Sequence, residues 1–533
     1  MPFCAALSLP ALGSRHGLKF PALSHLMRLS VLVPLLSILC NLSQAADAPA
    51  STPAPGAPAA PVPSSLKRSV VRLNSTVQSW NAGQPWEKTS PTSRRALAAI
   101  VGPQQVLTTA EIVADATYLE FESPDGTLFA PAKVIAVDYE ANLALLGPAA
   151  EAEGNKLFTT TQPAAIAPPA TLGQTLEIYQ IEENGVELST SGTLQSVALL
   201  ANFLPGQAFL TYQVKASMQS AASSYSIPVF NQGKVAGVLA SYNSKDQLCD
   251  VVATDLVARF LTAAATLPYV GFPSLGVSVA RTEDPSLRQW LKLTDEQGGL
   301  YLSTVRKGGA AAAAGVQKGD VLLAIDHQPI DRRGYYQHPT YGSLGWGHLI
   351  RGGKSVGNPV VLSLMRAGQP LELTATLTRD DEPSRLVPNY TFGRQPNYLV
   401  KGGFIFQELT RPMLEAFGED WPSRAPLDLL DVLENPEKYQ DRADRIIFLS
   451  GVIPTPATVG YESLRNLIVR KVNGVEIRNM KGLIASFKGH KGPLHSIEFD
   501  EENFTIYLDE TSASTVDAEL LQRGIPRLSR AGD

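Results

Sequence analysis

The chain reads as a mainly β domain followed by two smaller α+β modules, and three observations lead there. Residues 65–265 are short apolar runs cut by turn signals such as Pro124-Asp125-Gly126 and Asn231-Gln232-Gly233, an all-β pattern. Residues 299–326 read as a strand, a short Ala-rich turn of helix and a second strand. Residues 467–477 repeat the end of that plan, weakly at residue level but in the same order. At 533 residues the chain is also too long for a single core.

The N-terminus comes first. Within a leader spanning 1–46, residues 27–46 read as a secretory signal: Met27-Arg28 is a basic start, residues 29–42 are apolar, and Ser43-Gln44-Ala45 suits cleavage. The apolar run is too short and broken for a stable membrane span. The expected location is therefore outside the cytosol, in a bacterial periplasm. Residues 47–64 are Ala/Pro-rich and almost uncharged, an extended linker. Cys4 and Cys40 fall in the leader, so the mature chain keeps only Cys249, with no internal disulfide and no cysteine-based zinc site. Formal net charge is −5, and about −8 without the leader, with no clustered Lys and Arg. That balance excludes nucleic acid as the functional partner.

In the β domain, 65–265, the strands are expected at 98–107, 133–137, 176–180, 208–214 and 234–240, closed by a helix at 253–265. The first module, 266–385, has strands at 299–305 and 319–326 around small residues 310–315. Two further strands, 360–366 and 371–377, meet at Ala367-Gly368-Gln369. The second module, 386–530, has a strand at 467–473, a turn at Gly474-Val475 and closing strands near 498–499 and 504–508. Trp421 and Phe417 fall on a helical pattern and are assigned to its core. An insertion carrying Tyr335, Tyr336, Tyr341 and Trp346 reads either as a recognition surface or as a packed loop. His327, His338 and His348 lack ligand-like spacing and are taken as solvated loop residues, so no metal site is expected.

The segment Ala313-Ala314-Gly315-Val316-Gln317-Lys318-Gly319 followed by Asp320-Val321-Leu322-Leu323-Ala324-Ile325-Asp326 resembles a PDZ domain. With the β-rich domain before it, the chain resembles the HtrA/Deg family of serine proteases. Gly403-Phe404-Ile405-Phe406-Gln407-Glu408-Leu409-Thr410-Arg411-Pro412, Gly460-Tyr461-Glu462, Val472-Asn473-Gly474 and Gly524-Ile525-Pro526 resemble the divergent second PDZ-like module of the plant-type branch. The resemblance covers about residues 65–530. It implies a trypsin-like double β-barrel before two PDZ-like α+β modules, no cofactor, and a homotrimer or larger assembly with the second module at subunit contacts.

The catalytic positions depart from the family. Its histidine segment matches Leu107-Thr108-Thr109-Ala110-Glu111-Ile112-Val113, which puts Glu111 in the base's place. Its aspartate segment matches Asn142-Leu143-Ala144-Leu145-Leu146, and its nucleophile segment Ser223-Ser224-Tyr225-Ser226-Ile227-Pro228, so Asn142 and Tyr225 stand in those places. No histidine occurs between His25 and His327. A carboxylate with an ordinary pKa near 4 is a weak base at neutral pH, and a phenol titrating near 10 is a poor nucleophile. Ser223 further replaces the glycine of the oxyanion loop. The expectation is a pseudoprotease that binds peptides or unfolded proteins, in scaffolding or quality control. The alternative is a serine endopeptidase with a relocated site, such as Ser224 or Ser226 with Lys215. A PDZ module adds an extended peptide to a sheet edge and holds its terminal carboxylate with backbone amides. Leu275, Gly276 and Val277 are the candidates for that loop.

Overall fold

The computed structural model describes residues 66–218, 226–380, 382–501 and 504–532. The signal segment 27–46, the linker 47–64 and Tyr225 lie outside the described residues.

The β domain is two closed six-stranded barrels. The first holds β1 (Val70–Val77), β2 (Thr92–Gly102), β3 (Gln105–Thr108), β4 (Ala116–Glu122), β5 (Phe129–Asp138) and β6 (Leu143–Pro148) in the order β1-β2-β3-β6-β5-β4. The second holds β7 (Thr175–Ile181), β8 (Glu187–Leu200), β9 (Phe209–Lys215), β10 (Ile227–Asn231), β11 (Lys234–Asn243) and β12 (Leu248–Ala253) in the order β10-β11-β12-β9-β8-β7. Closure removes the sheet edges that would otherwise invite foreign strands. The run 98–107, expected as one strand, is two: Ile100 pairs with Val106 across a hairpin, and Gln104 turns the chain with φ 56°. Apolar residues on both arms made the run look continuous, although Pro103 cannot donate to a ladder. Leu97, Leu107 and Leu143 of the first barrel pack with Phe209, Phe230 and the helix Thr254–Ala264 of the second in one apolar cluster. Cys249 is a buried free thiol inside the second barrel's core, and burial pushes it up to about 12.

The first α+β module is a sheet running Val277–Arg281, Leu300–Val305, Val321–Ile325, Pro359–Arg366, Gln369–Thr376. The second is an eight-stranded sheet whose central strands are Phe404–Glu408, Ile447–Val452 and Leu467–Val472. Trp421 and Phe417 are half-buried against that module's cluster around Leu414 and Leu429.

The aromatic insertion is a packed element. Its hairpin, Tyr335–His338 with Gly342–Gly345, sets Tyr336 and Leu344 into the core of the second barrel. The Tyr341 hydroxyl lies 3.4 Å from the Tyr212 hydroxyl and donates to Asp255 Oδ2 at 3.4 Å. His327 is an exposed turn residue, as expected, but His338 and His348 are not the solvated loop residues expected. His338 stacks on Tyr341 with ring centroids 5.1 Å apart, and His348 lies in the helix Gly347–Arg351, its Nδ1 2.5 Å from the Tyr336 hydroxyl. Burial, with His338 next in effect, lowers His348 to about 4, so it is neutral at physiological pH. Sequence spacing cannot show this, because the barrel that buries these rings ends at Ala253, far away along the chain.

Candidate functional site

Glu111 opens a single 3-10 turn, Glu111–Val113, directly after β3, and Asn142 ends the turn between β5 and β6. Because β3 pairs with β6, Leu107 opposite Leu145 and Thr108 opposite Ala144, the two residues come together. The Glu111 backbone N–H donates to Asn142 Oδ1 at 3.1 Å. Asn142 is fully buried at φ 55°, and its Nδ2 finds no acceptor among the described residues. Arg94 donates to the Glu111 carbonyl at 2.7 Å. Burial raises the Glu111 carboxyl above the usual carboxylate range, and the charge of Arg94 opposes this.

Tyr225 is not described, but its neighbour Ser226 is almost wholly buried and accepts the Leu97 N–H on its carbonyl at 3.1 Å. The chain entering β10 is thereby tied to β2, at the junction of the barrels. Lys215, the amine of the alternative dyad, is exposed at the end of β9 and donates to the Asp246 carbonyl at 2.5 Å. No imidazole approaches from this domain. His338 and His348 belong to the docked insertion, and His490 and His495 to the second module.

The carboxylate-loop candidates sit at the entry to the first module's edge strand. Gly276 has φ 76°, and a Cβ added there would lie 3.2 Å from the Gly309 Cα, so a side chain is disfavoured twice. Leu275 is buried, its carbonyl accepting the Ala311 N–H at 2.9 Å, and the Gly276 carbonyl accepts the Arg306 N–H at 2.9 Å. Val277 begins Val277–Arg281, which ends the sheet order, so no described strand covers its outer edge.

The second module differs at the matching place. Phe404–Glu408 is already paired along its outer side by Tyr398–Lys401 through a turn at Gly402-Gly403, and Tyr398–Lys401 is covered in turn by Ser529–Arg530. Both glycines have positive φ, 59° and 103°, which a two-residue hairpin turn of this kind requires. Sequence reasoning missed this self-pairing, though Gly-Gly between two apolar runs is a hairpin signal.

Residues 273–377 and residues 387–527 each match a PDZ domain model. Over 85% of its length the chain is 24% identical to "Putative protease Do-like 3, mitochondrial" of Arabidopsis thaliana, covering 78% of that protein. It is 25% identical to "Protease Do-like 2, chloroplastic" of the same organism, over 87% of this chain and 74% of the relative. Among solved structures, "HtrA-type protease AlgW with decapeptide" is 18% identical with a TM-score of 0.45, covering 59% of this chain and 97% of that one.

These relatives overturn the periplasmic expectation, since their names place them in mitochondria and chloroplasts. The error has a compositional cause. Residues 1–46 contain no acid, six Ser, two Arg and one Lys, which suits a transit peptide as well as the apolar run suits a secretory signal. Two barrels of trypsin-like fold, two PDZ domains behind them and Do-like relatives along most of its length support an assignment of the chain to the HtrA/Deg family.

Proposed function

We propose that the chain is an organellar HtrA/Deg pseudoprotease that works by binding peptides or unfolded protein segments. The observation that carries this is the Glu111–Asn142 pair: an amide and a half-buried carboxyl occupy the places where the family holds a carboxylate and an imidazole. A serine hydrolase needs a base that titrates near neutrality, oriented by an acceptor, and losing any one triad member costs about three to six powers of ten in rate. With Tyr225 at the nucleophile position, all three members are replaced. The exposed, carbonyl-bound Lys215 gives the relocated dyad no support.

Binding falls to the first PDZ module. Its edge strand Val277–Arg281 is open to strand addition behind the Leu275-Gly276-Val277 loop, whereas the second module has closed its own edge. The second module is thereby freed for subunit contacts in a trimer or larger assembly.

The test is β-casein turnover by the purified protein beside a Glu111→His/Asn142→Asp/Tyr225→Ser variant. No cleavage by the wild type, with casein bound or kept soluble, is the expected result. Wild-type cleavage that survives purification and is lost on Ser224→Ala or Ser226→Ala would overturn it in favour of a relocated site.

A further inference from the structure

The segment joining the two PDZ modules crosses back over the barrels. The Gly393 N–H donates to Asp115 Oδ1 at 2.8 Å, four residues beyond Glu111. The Tyr139 ring, three residues before Asn142, lies with its centroid 5.3 Å from that of Tyr390 and 4.8 Å from that of Phe392. Phe392 also stacks on Phe203, from the loop between β8 and β9 of the second barrel, at 5.6 Å and 12°, and on Tyr390 of its own segment at 5.4 Å and 20°. One aromatic side chain thus contacts a ring of each barrel.

We propose that Tyr139 and Phe203 form a subsite for an aromatic side chain of an extended peptide, and that Phe392 of the chain's own inter-module segment occupies it. Three features support this. The occupant is an irregular stretch between the described elements Glu382–Ser384 and Tyr398–Lys401, so it reaches the site as a peptide and not as part of a sheet. Its described hold on the barrels is three ring contacts and one backbone hydrogen bond, the inventory by which an extended ligand is bound. The two walls come from different barrels, so the subsite exists only where the barrels meet. A tethered occupant competes at an effective concentration in the millimolar range, enough to exclude a weak free peptide. The inference is independent of whether Glu111, Asn142 and Tyr225 are inactive, because binding and not turnover is its readout.

Two measurements on the full chain test it. The first uses a fluorescent nonapeptide of sequence Pro-Asn-Tyr-Thr-Phe-Gly-Arg-Gln-Pro, that of residues 388–396. The Phe392→Ser variant is expected to bind it at least about tenfold more tightly than the wild type, and the added change Phe203→Ser to abolish binding. Equal binding by both, or no binding by Phe392→Ser up to millimolar peptide, would overturn the proposal. The second measurement needs no freed site. Trypsin cleavage after Arg394 is expected to accelerate about tenfold in Phe203→Ser and to stay at the wild-type rate in Phe203→Tyr, which restores the stack. Unchanged cleavage in Phe203→Ser would show that the aromatic contacts do not hold the segment.

Discussion

Asn142 sits in a backbone region that asparagine and aspartate tolerate better than most residues, at φ 55°, so its identity is constrained before any chemistry is considered. Its Oδ1 is used by the Glu111 N–H while its buried Nδ2 goes unpaired among the described residues. An orphaned buried donor costs about 1–3 kcal/mol. Asn142→Asp would remove that orphan and keep the backbone, but it would place a second carboxyl beside Glu111, which burial already holds above its ordinary pKa. While both carboxyls are protonated the repulsion is absent. It grows as pH rises and each ionises. The variant should therefore match the wild type in Tm near pH 4 and melt several degrees lower near pH 8, and adding Glu111→Gln should abolish that difference. Equal melting near pH 8 would show that the two side chains do not share one environment. These positions were legible in sequence because Leu107-Thr108 and Leu143-Ala144 frame them. The hydrogen bond between them was not, since it depends on the pairing of β3 with β6.

At the scale of elements, the two PDZ modules share a plan and differ in one strand. The shared plan was readable from residues 319–326 and 467–473, where apolar strands end in a glycine or aspartate turn. The difference was not, because whether an edge is open depends on what the rest of the chain lays beside it: Tyr398–Lys401 in one module and nothing described in the other. Hydrogen exchange can separate them. Outward-facing amides of Val277–Arg281 should exchange quickly in the free protein and become protected by pooled decapeptides with free C-termini, but not by the same peptides amidated. Amides of Phe404–Glu408 should be protected throughout and indifferent to peptide. Gly276→Trp should abolish the peptide effect, because the loop has no room for a side chain at φ 76°. Peptide-induced protection at Phe404–Glu408 instead would assign reading to the second module.

Across the whole molecule, the two barrels, the first PDZ module and the inter-module segment converge on one half-buried carboxyl. Burial first, then the neighbouring charge of Asp138, pushes Glu140 up to about 7; Arg385 opposes this, Glu382 adds to it and Arg351 opposes it again. Those groups come from three parts of the chain: the first barrel, the first module and the inter-module segment. Asp138 accepts the Tyr269 hydroxyl at 2.9 Å, from the stretch that leads into the first module. Arg351, on that module's helix Gly347–Arg351, donates to the Ala208 carbonyl of the second barrel at 3.1 Å. Arg385 bridges Asp380 and Glu382 at the start of the inter-module segment. An acid whose pKa is raised by folding contributes stability that is complete below its unfolded pKa, near 4.5, and is lost as pH rises through the folded value near 7. The docked arrangement is therefore expected to loosen between about pH 6 and 8, when Glu140 must ionise without full hydration. The cost is about 1–2 kcal/mol once the partial exposure of the group is allowed for. Glu140→Gln keeps the shape and removes the proton. Calorimetry of the full chain should give a wild-type Tm that falls by a few degrees across that window and a variant whose Tm is nearly flat, higher than wild type near pH 8 and equal near pH 5. Trypsin cleavage after Arg394 should accelerate over the same pH interval in the wild type alone, since the segment leaves the barrels when the junction opens. If the variant keeps the wild-type slope, Glu140 is not the group that couples the junction to pH, and the acid pair with Asp138 would have to be assigned to local packing within the β5–β6 turn.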